Sequence, residues 1–136
     1  IPAGTQAKLR LIASDGYNET TVTSDAFNMP DVGPQIDIAT PENNAVVDTF
    51  PLTFEAFAYD VENGDRTAAI TWRSDKDGTL GIGGTLDVAT LSAGVHIVTA
   101  AADDGDGNTG TDTVRLTVAG TGDEPEYSVF LPLVLR

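Results

Sequence analysis

The stretch His96-Ile-Val-Thr-Ala-Ala-Ala-Asp-Asp-Gly105, followed after a short turn by Thr111-Asp-Thr-Val-Arg-Leu-Thr-Val118, decides the fold. An alternating apolar strand meets an Asp-Gly turn and returns as a second strand rich in Thr and Val, which is the pattern of a β-hairpin. The same pattern occurs near the start of the chain. There Lys8-Leu-Arg-Leu-Ile-Ala-Ser-Asp-Gly16 runs into Thr21-Val-Thr-Ser-Asp-Ala-Phe-Asn-Met29, with Leu9, Leu11 and Ala13 on one face and Arg10 and Ile12 on the other. The later copy is preceded by a long strand-like region and the earlier one by almost nothing. The expectation is the tail of one β-sandwich (residues 1–29) followed by a whole one, with the missing strands of the first supplied from elsewhere.

Working outward, residues 30–34 form a short linker stiffened by Pro30 and Pro34. Seven strands can be read from Gln35 to Ala119: 35–39, 50–59, 68–74, 80–82, 85–89, 95–102 and 111–119. In the longest of these, Leu52, Phe54, Ala56 and Ala58 alternate with Thr53, Glu55 and Phe57. No stretch keeps a helical apolar period for three turns, so the chain reads as all-β. Short strands at regular spacing, with Trp72 on the third, predict an immunoglobulin-like Greek-key sandwich over residues 35–119. Trp72, Phe54 and Phe50 are expected in its core.

The residues that carry a family resemblance are Ile70-Thr-Trp-Arg-Ser-Asp-Lys-Asp-Gly-Thr-Leu-Gly-Ile-Gly-Gly-Thr-Leu86, Leu91-Ser-Ala-Gly-Val-His-Ile-Val-Thr-Ala100 and Asp104-Gly-Asp-Gly-Asn-Thr-Gly110. Together they resemble the immunoglobulin-like and PKD-like repeats of exported bacterial surface proteins. The likeness covers about residues 35–119, and the hairpin at 7–29 resembles the last two strands of a related repeat. It implies a secreted or cell-surface setting, with other copies of the chain or adjacent immunoglobulin-like domains as partners. It also implies work as a spacer, stalk or adhesive module.

Composition narrows the functional classes. The chain has 136 residues and a formal net charge of −14, from 21 Asp and Glu against 7 Lys and Arg. Such acidity repels phosphate backbones and anionic membranes, which argues against nucleic-acid partners. It also leaves carboxylates free for divalent cations. Hydrophobic residues make up 40%, enough for a core, and no run approaches the roughly 18 apolar residues that cross a bilayer. There is no cysteine, as fits a cytosolic protein or an exported bacterial module that relies on its core. Ile1-Pro2-Ala3-Gly4 has no basic and apolar regions of a secretory signal.

Beyond Ala119 an acidic linker, residues 120–126, leads to Tyr127-Ser-Val-Phe-Leu-Pro-Leu-Val-Leu-Arg136. This ending resembles short apolar C-terminal tails on exported proteins of some filamentous thermophilic bacteria. Tyr127, Val129, Phe130, Leu131, Leu133, Val134 and Leu135 are apolar enough that the segment is expected to dock as a strand, with Pro132 at an edge or bulge. Leu9 and Leu11 of the incomplete hairpin offer it a destination, in the same chain or in another copy.

The candidate metal ligands are Asp104, Asp106 and Asn108, which alternate as in the opening of a calcium loop. Position twelve of such a loop needs a bidentate Glu, and Arg115 stands there, so an EF-hand is excluded. Turn chemistry accounts for the same residues, because Asp bonds readily to nearby backbone. A second cluster, Asp60, Glu62, Asn63 and Asp65, offers a possible Ca²⁺ site near the domain junction. The single histidine, His96, lies on a strand with no nucleophile motif beside it and reads as structural or surface. No catalytic residue is assigned, and the reading is of a non-enzymatic structural protein. Asn18-Glu-Thr20 fits an N-glycosylation acceptor on a turn.

Overall fold

A computed structural model describes residues 4–120; the C-terminal segment expected to dock as a strand lies outside the described residues. The described chain is all-β apart from one 3-10 turn at Thr67–Ala69.

The N-terminal hairpin forms about its Asp-Gly turn, but the second strand expected over Thr21–Met29 is broken at residues 24–26 into two, each with its own partner. Strands β1 (Gly4–Ala7), β2 (Arg10–Ser14), β3 (Glu19–Thr23) and β4 (Phe27–Met29) fold back on one another, β2 with β3 and β1 with β4. The register sets Leu11 opposite Val22 and Ala13 opposite Thr20, so Leu9, Leu11 and Val22 share one face. At the tip Asp15 Oδ1 accepts the backbone N–H groups of Tyr17 and Asn18, and Gly16 takes a positive φ of 93° that a side chain would resist. Among the described residues these four strands pair only with each other.

From Gln35 onward two sheets face one another. One runs β11 (Thr85–Val88), β7 (Leu52–Asp60), β5 (Gln35–Thr40), with the two-residue β8 (Gly64–Asp65) added on β7. The other runs β10 (Gly78–Ile82), β9 (Thr71–Ser74), β12 (Gly94–Asp103), β13 (Thr109–Val118), β6 (Ala45–Val47). The β12–β13 hairpin that opened the sequence reading pairs without interruption from Gly94–Val118 to Asp103–Thr109.

Period-two burial explains why these residues make these layers. Along β7, Phe54, Ala56 and Ala58 point inward while Phe57 and Tyr59 face out; along β12, Val98, Ala100 and Ala102 point inward. With Ile70, Trp72, Val114, Leu116 and Val118 they build one core. Phe54 and Trp72 meet at its centre with ring centroids 5.2 Å apart, tilted by 50°. The buried indole donates Nε1–H to the Gly83 carbonyl at 2.8 Å, which ties β9 to the β10–β11 connection. Phe50 packs half-buried against the same cluster.

Three details of the sandwich also depart from the expectation. Ala45–Val47 is a strand, paired in parallel with Leu116–Val118, and Gly64–Asp65 adds a short bridge to β7. The expected strand from Ala68 begins only at Thr71. Asp65 Oδ1 accepts the Thr67 N–H and the Thr67 hydroxyl accepts the Ala58 N–H, so local side-chain bonds hold a turn there instead.

Candidate functional site

Where the linker meets the sandwich, acidic side chains gather from three distant parts of the chain. Asp60 closes β7 with its side chain almost wholly buried, at 1% exposure. One oxygen, Oδ1, accepts the backbone N–H groups of Glu62 and Asn63 at 2.9 and 2.7 Å and so shapes the following turn. Asp104 opens the turn between β12 and β13 at 2% exposure. Its Oδ1 accepts three backbone N–H groups, from Asp106, Gly107 and Asn108, and its Oδ2 accepts the Asn108 amide at 2.7 Å. The same amide donates to Asp31 Oδ2, at 2.8 Å, so it bridges the linker and the loop.

The linker approaches closely because two glycines allow it. A Cβ on Gly33 would stand 2.9 Å from the Thr109 carbonyl carbon, and one on Gly110 would overlap the Pro34 carbonyl. Backbone therefore lies against backbone, and Asp31 is set down beside the loop.

Charges in this corner act on one another. Desolvation and then the negative charges of Asp104, Asp106 and Asp60 raise the Asp31 carboxyl above its ordinary value. Burial pushes Asp104 the same way, but the Asn108 amide and the backbone donors outweigh it and hold that carboxyl below its ordinary value.

The three ligands predicted from spacing therefore have unequal roles. Asp104 is buried and its oxygens are engaged in shaping the turn. Asn108 links it to Asp31. Asp106 is exposed, with Asn63 Nδ2 at 3.5 Å from its Oδ2. Of the second cluster, Asp60 and Glu62 turn toward the protein, whereas Asp65 is exposed and serves the Thr67 turn. Asp31 sits in what the sequence presents only as a turn-rich linker; the signal it carries is an Asp two residues before a Gly-Pro pair at a domain edge.

A second polar constellation lies inside the core. His96 is wholly buried. Ser74 Oγ accepts the N–H groups of Lys76 and Asp77, so its own proton goes to His96 Nδ1 at 2.7 Å. Nε2 then carries the imidazole proton and donates to the Ser92 carbonyl at 2.6 Å. Asp77 accepts the Ser92 N–H and hydroxyl, which hold its carboxyl below the ordinary value, and stands 4.0 Å from Nδ1. Both Ser74 and Asp77 approach the same ring nitrogen, and Ser74 is buried. The arrangement joins the turn after β9 to the start of β12; it does not present an activated hydroxyl to a substrate. A shallow hollow of about 470 Å³ lies alongside, lined by Asp77, Thr79, Leu80, Val88, Thr90, Leu91 and Ser92. The inward position of His96 was legible, since it shares parity with Val98, Ala100 and Ala102.

No helix among the described residues is long and apolar enough to cross a membrane. No protein-family model matches the chain, and no curated protein matches it.

Proposed function

We propose that this chain is a non-enzymatic structural module of an exported bacterial protein, an immunoglobulin-like sandwich carrying a hairpin that a further strand completes. The observation that carries the reading is the bare apolar face of the hairpin. Leu9, Leu11 and Val22 are 69%, 68% and 60% exposed, although they line one side of a regular strand pair. A two-stranded hairpin is marginal in water and needs more strands or a covering layer. Burying three such side chains contributes about 1.5–3 kcal/mol each, enough to recruit a strand.

The occupant we favour is Tyr127–Leu135 of another copy, whose apolar side chains match the exposed stripe in character. Head-to-tail donation of this kind does not close on itself and builds filaments. Removing residues 126–136 tests it: the truncated protein is expected to stay folded and stop assembling, as read by light scattering and negative-stain microscopy of both forms. Fibres that persist after truncation refute donation by the tail.

One observation favours a second reading, a passive spacer or adhesive repeat within a longer surface protein. The sandwich core, from Ile36 to Val118, is built without any hairpin residue. In that case the intact chain remains monomeric at every concentration.

A further inference from the structure

Three carboxylate oxygens at the junction are buried and lack a hydrogen-bond donor among the described residues: Asp31 Oδ1, Asp60 Oδ2 and Glu62 Oε2. Asp60 is the decisive one. Its side chain is almost wholly enclosed, one oxygen is spent on the turn, and the other is left unpaired. A buried charge in this state is costly unless a counter-charge meets it. Among the described residues no lysine or arginine nitrogen comes within 4.0 Å of these carboxylates; the ion-pair contact of that range is His96 with Asp77, elsewhere in the sandwich. Arg66, the nearby cation, gives its Nε–H to the Asp103 carbonyl instead.

We propose that this corner binds a divalent cation, Ca²⁺ by its chemistry, through Asp31, Asp60 and Glu62. All three donors are hard oxygens, the class that Ca²⁺ takes in sets of six to eight with water and carbonyl groups completing the shell. Asn108 supports the same assignment. Its amide points at both the Asp31 and Asp104 carboxylates, and rotation by half a turn about the last side-chain bond replaces the NH₂ by a carbonyl oxygen without changing shape. As they stand, no three acidic or histidine side chains among the described residues form a ready coordination set. Binding therefore draws the carboxylates inward, and that reorganisation places the affinity in the weak range of about 10⁻⁴–10⁻³ M found for extracellular modules.

The ion joins a linker residue to Asp60 at the end of β7 and Glu62 in the turn that follows, so its effect is on the junction as well as on the sandwich. The test uses the intact chain, melted in EDTA, in about 10 mM CaCl₂, in MgCl₂ and in NaCl of equal ionic strength, together with calorimetric titration of CaCl₂. Ca²⁺ is expected to raise the melting temperature by about 5 °C or more through mass action. NaCl is expected to give little of that shift.

Glu62→Gln and Asp31→Asn are expected to abolish the Ca²⁺-dependent shift while melting in EDTA at or above the wild-type temperature, because each removes like-charge repulsion. Asp60→Asn is expected to do the same; should loss of its turn bonds prevent folding, the other two variants decide. An equal rise in NaCl, a larger rise in MgCl₂ than in CaCl₂, or a Ca²⁺ shift retained in both Glu62→Gln and Asp31→Asn overturns the proposal. So does a change below about 1 °C with no titration heat.

Discussion

Gly110→Ala isolates the close approach on which the junction depends. The added methyl would stand 2.7 Å from the Pro34 carbonyl carbon, against ordinary contact of 3.4–4 Å, and would overlap the carbonyl oxygen outright. The obstruction is backbone on both sides, so no side-chain rotation relieves it. The linker must lift, which weakens the Asn108–Asp31 bond and exposes buried Pro34. Overpacking of this kind costs about 1–3 kcal/mol. For a sandwich of this size each kcal/mol lowers the melting temperature by about 4–8 °C, so a fall of about 4–24 °C is expected in a calorimetric scan. A clash-free comparison is available at Gly64 and Gly78, where a Cβ would meet no atom within 4 Å and the positive φ of 76° alone penalises Ala. Gly110 carries no positive φ, so its penalty is steric alone. A Gly110→Ala protein that melts within about 2 °C of wild type would refute the reasoning.

Three further predictions concern other parts of the molecule. Ser74→Ala leaves the Lys76 and Asp77 N–H groups without their acceptor and His96 Nδ1 without its donor; it should cost about 1–3 kcal/mol in urea unfolding, and His96→Ala more, since it also opens a cavity. Leu11→Lys on the bare face of the hairpin should leave the sandwich's melting temperature unchanged while reducing any concentration-dependent light scattering. The pH response has two opposing signs. Asp77 and Asp104 titrate below the ordinary 3.8 in the folded state, so the folded protein binds fewer protons there, and their stabilisation is present above 3.8 and lost as the pH falls through the folded values. Asp31 titrates above 3.8, so it opposes folding at neutral pH and is relieved as acid is added. Melting temperature should hold or rise slightly from pH 6 to 4 and then fall; a protein as stable at about pH 2.5 as at pH 6 would contradict this account.

Much of the fold was legible because burial imposes a strict period on strands. Phe54, Ala56 and Ala58 could be placed inside from alternation alone, as could the whole β12–β13 hairpin. What escaped the reading depends on partners far along the chain. Ala45-Val46-Val47 is too short to declare itself, and it becomes a strand only because Leu116–Val118 lies alongside in parallel. The acidic corner shows the same division. Its residue types were visible in Asp60, Glu62, Asp104 and Asn108, but their meeting with Asp31 is created by folding. The spacing pattern pointed to Asp106, which turns outward, because alternation along a loop does not carry the inside–outside meaning that it has along a strand.

The direction in which β6 runs bears on how the molecule answers tension. A pull on the two ends of the sandwich first loads β5 against β7, and once β5 is drawn off it reaches β6 at its first residue and β13 at its last. In a parallel pair those forces drag the strands lengthwise past each other. The contacts Ala45–Leu116, Val46–Thr117 and Val47–Val118, with the flanking bonds from Asn44 to Arg115 and from Ala119 to Val47, then resist simultaneously. The N-terminal hairpin has the opposite mechanics: drawn from its open end, β1–β4 and then β2–β3 separate one rung at a time, like a zip. Stretched, the chain would lengthen first at the hairpin and then at β5, while the β6–β13 pair behind them held.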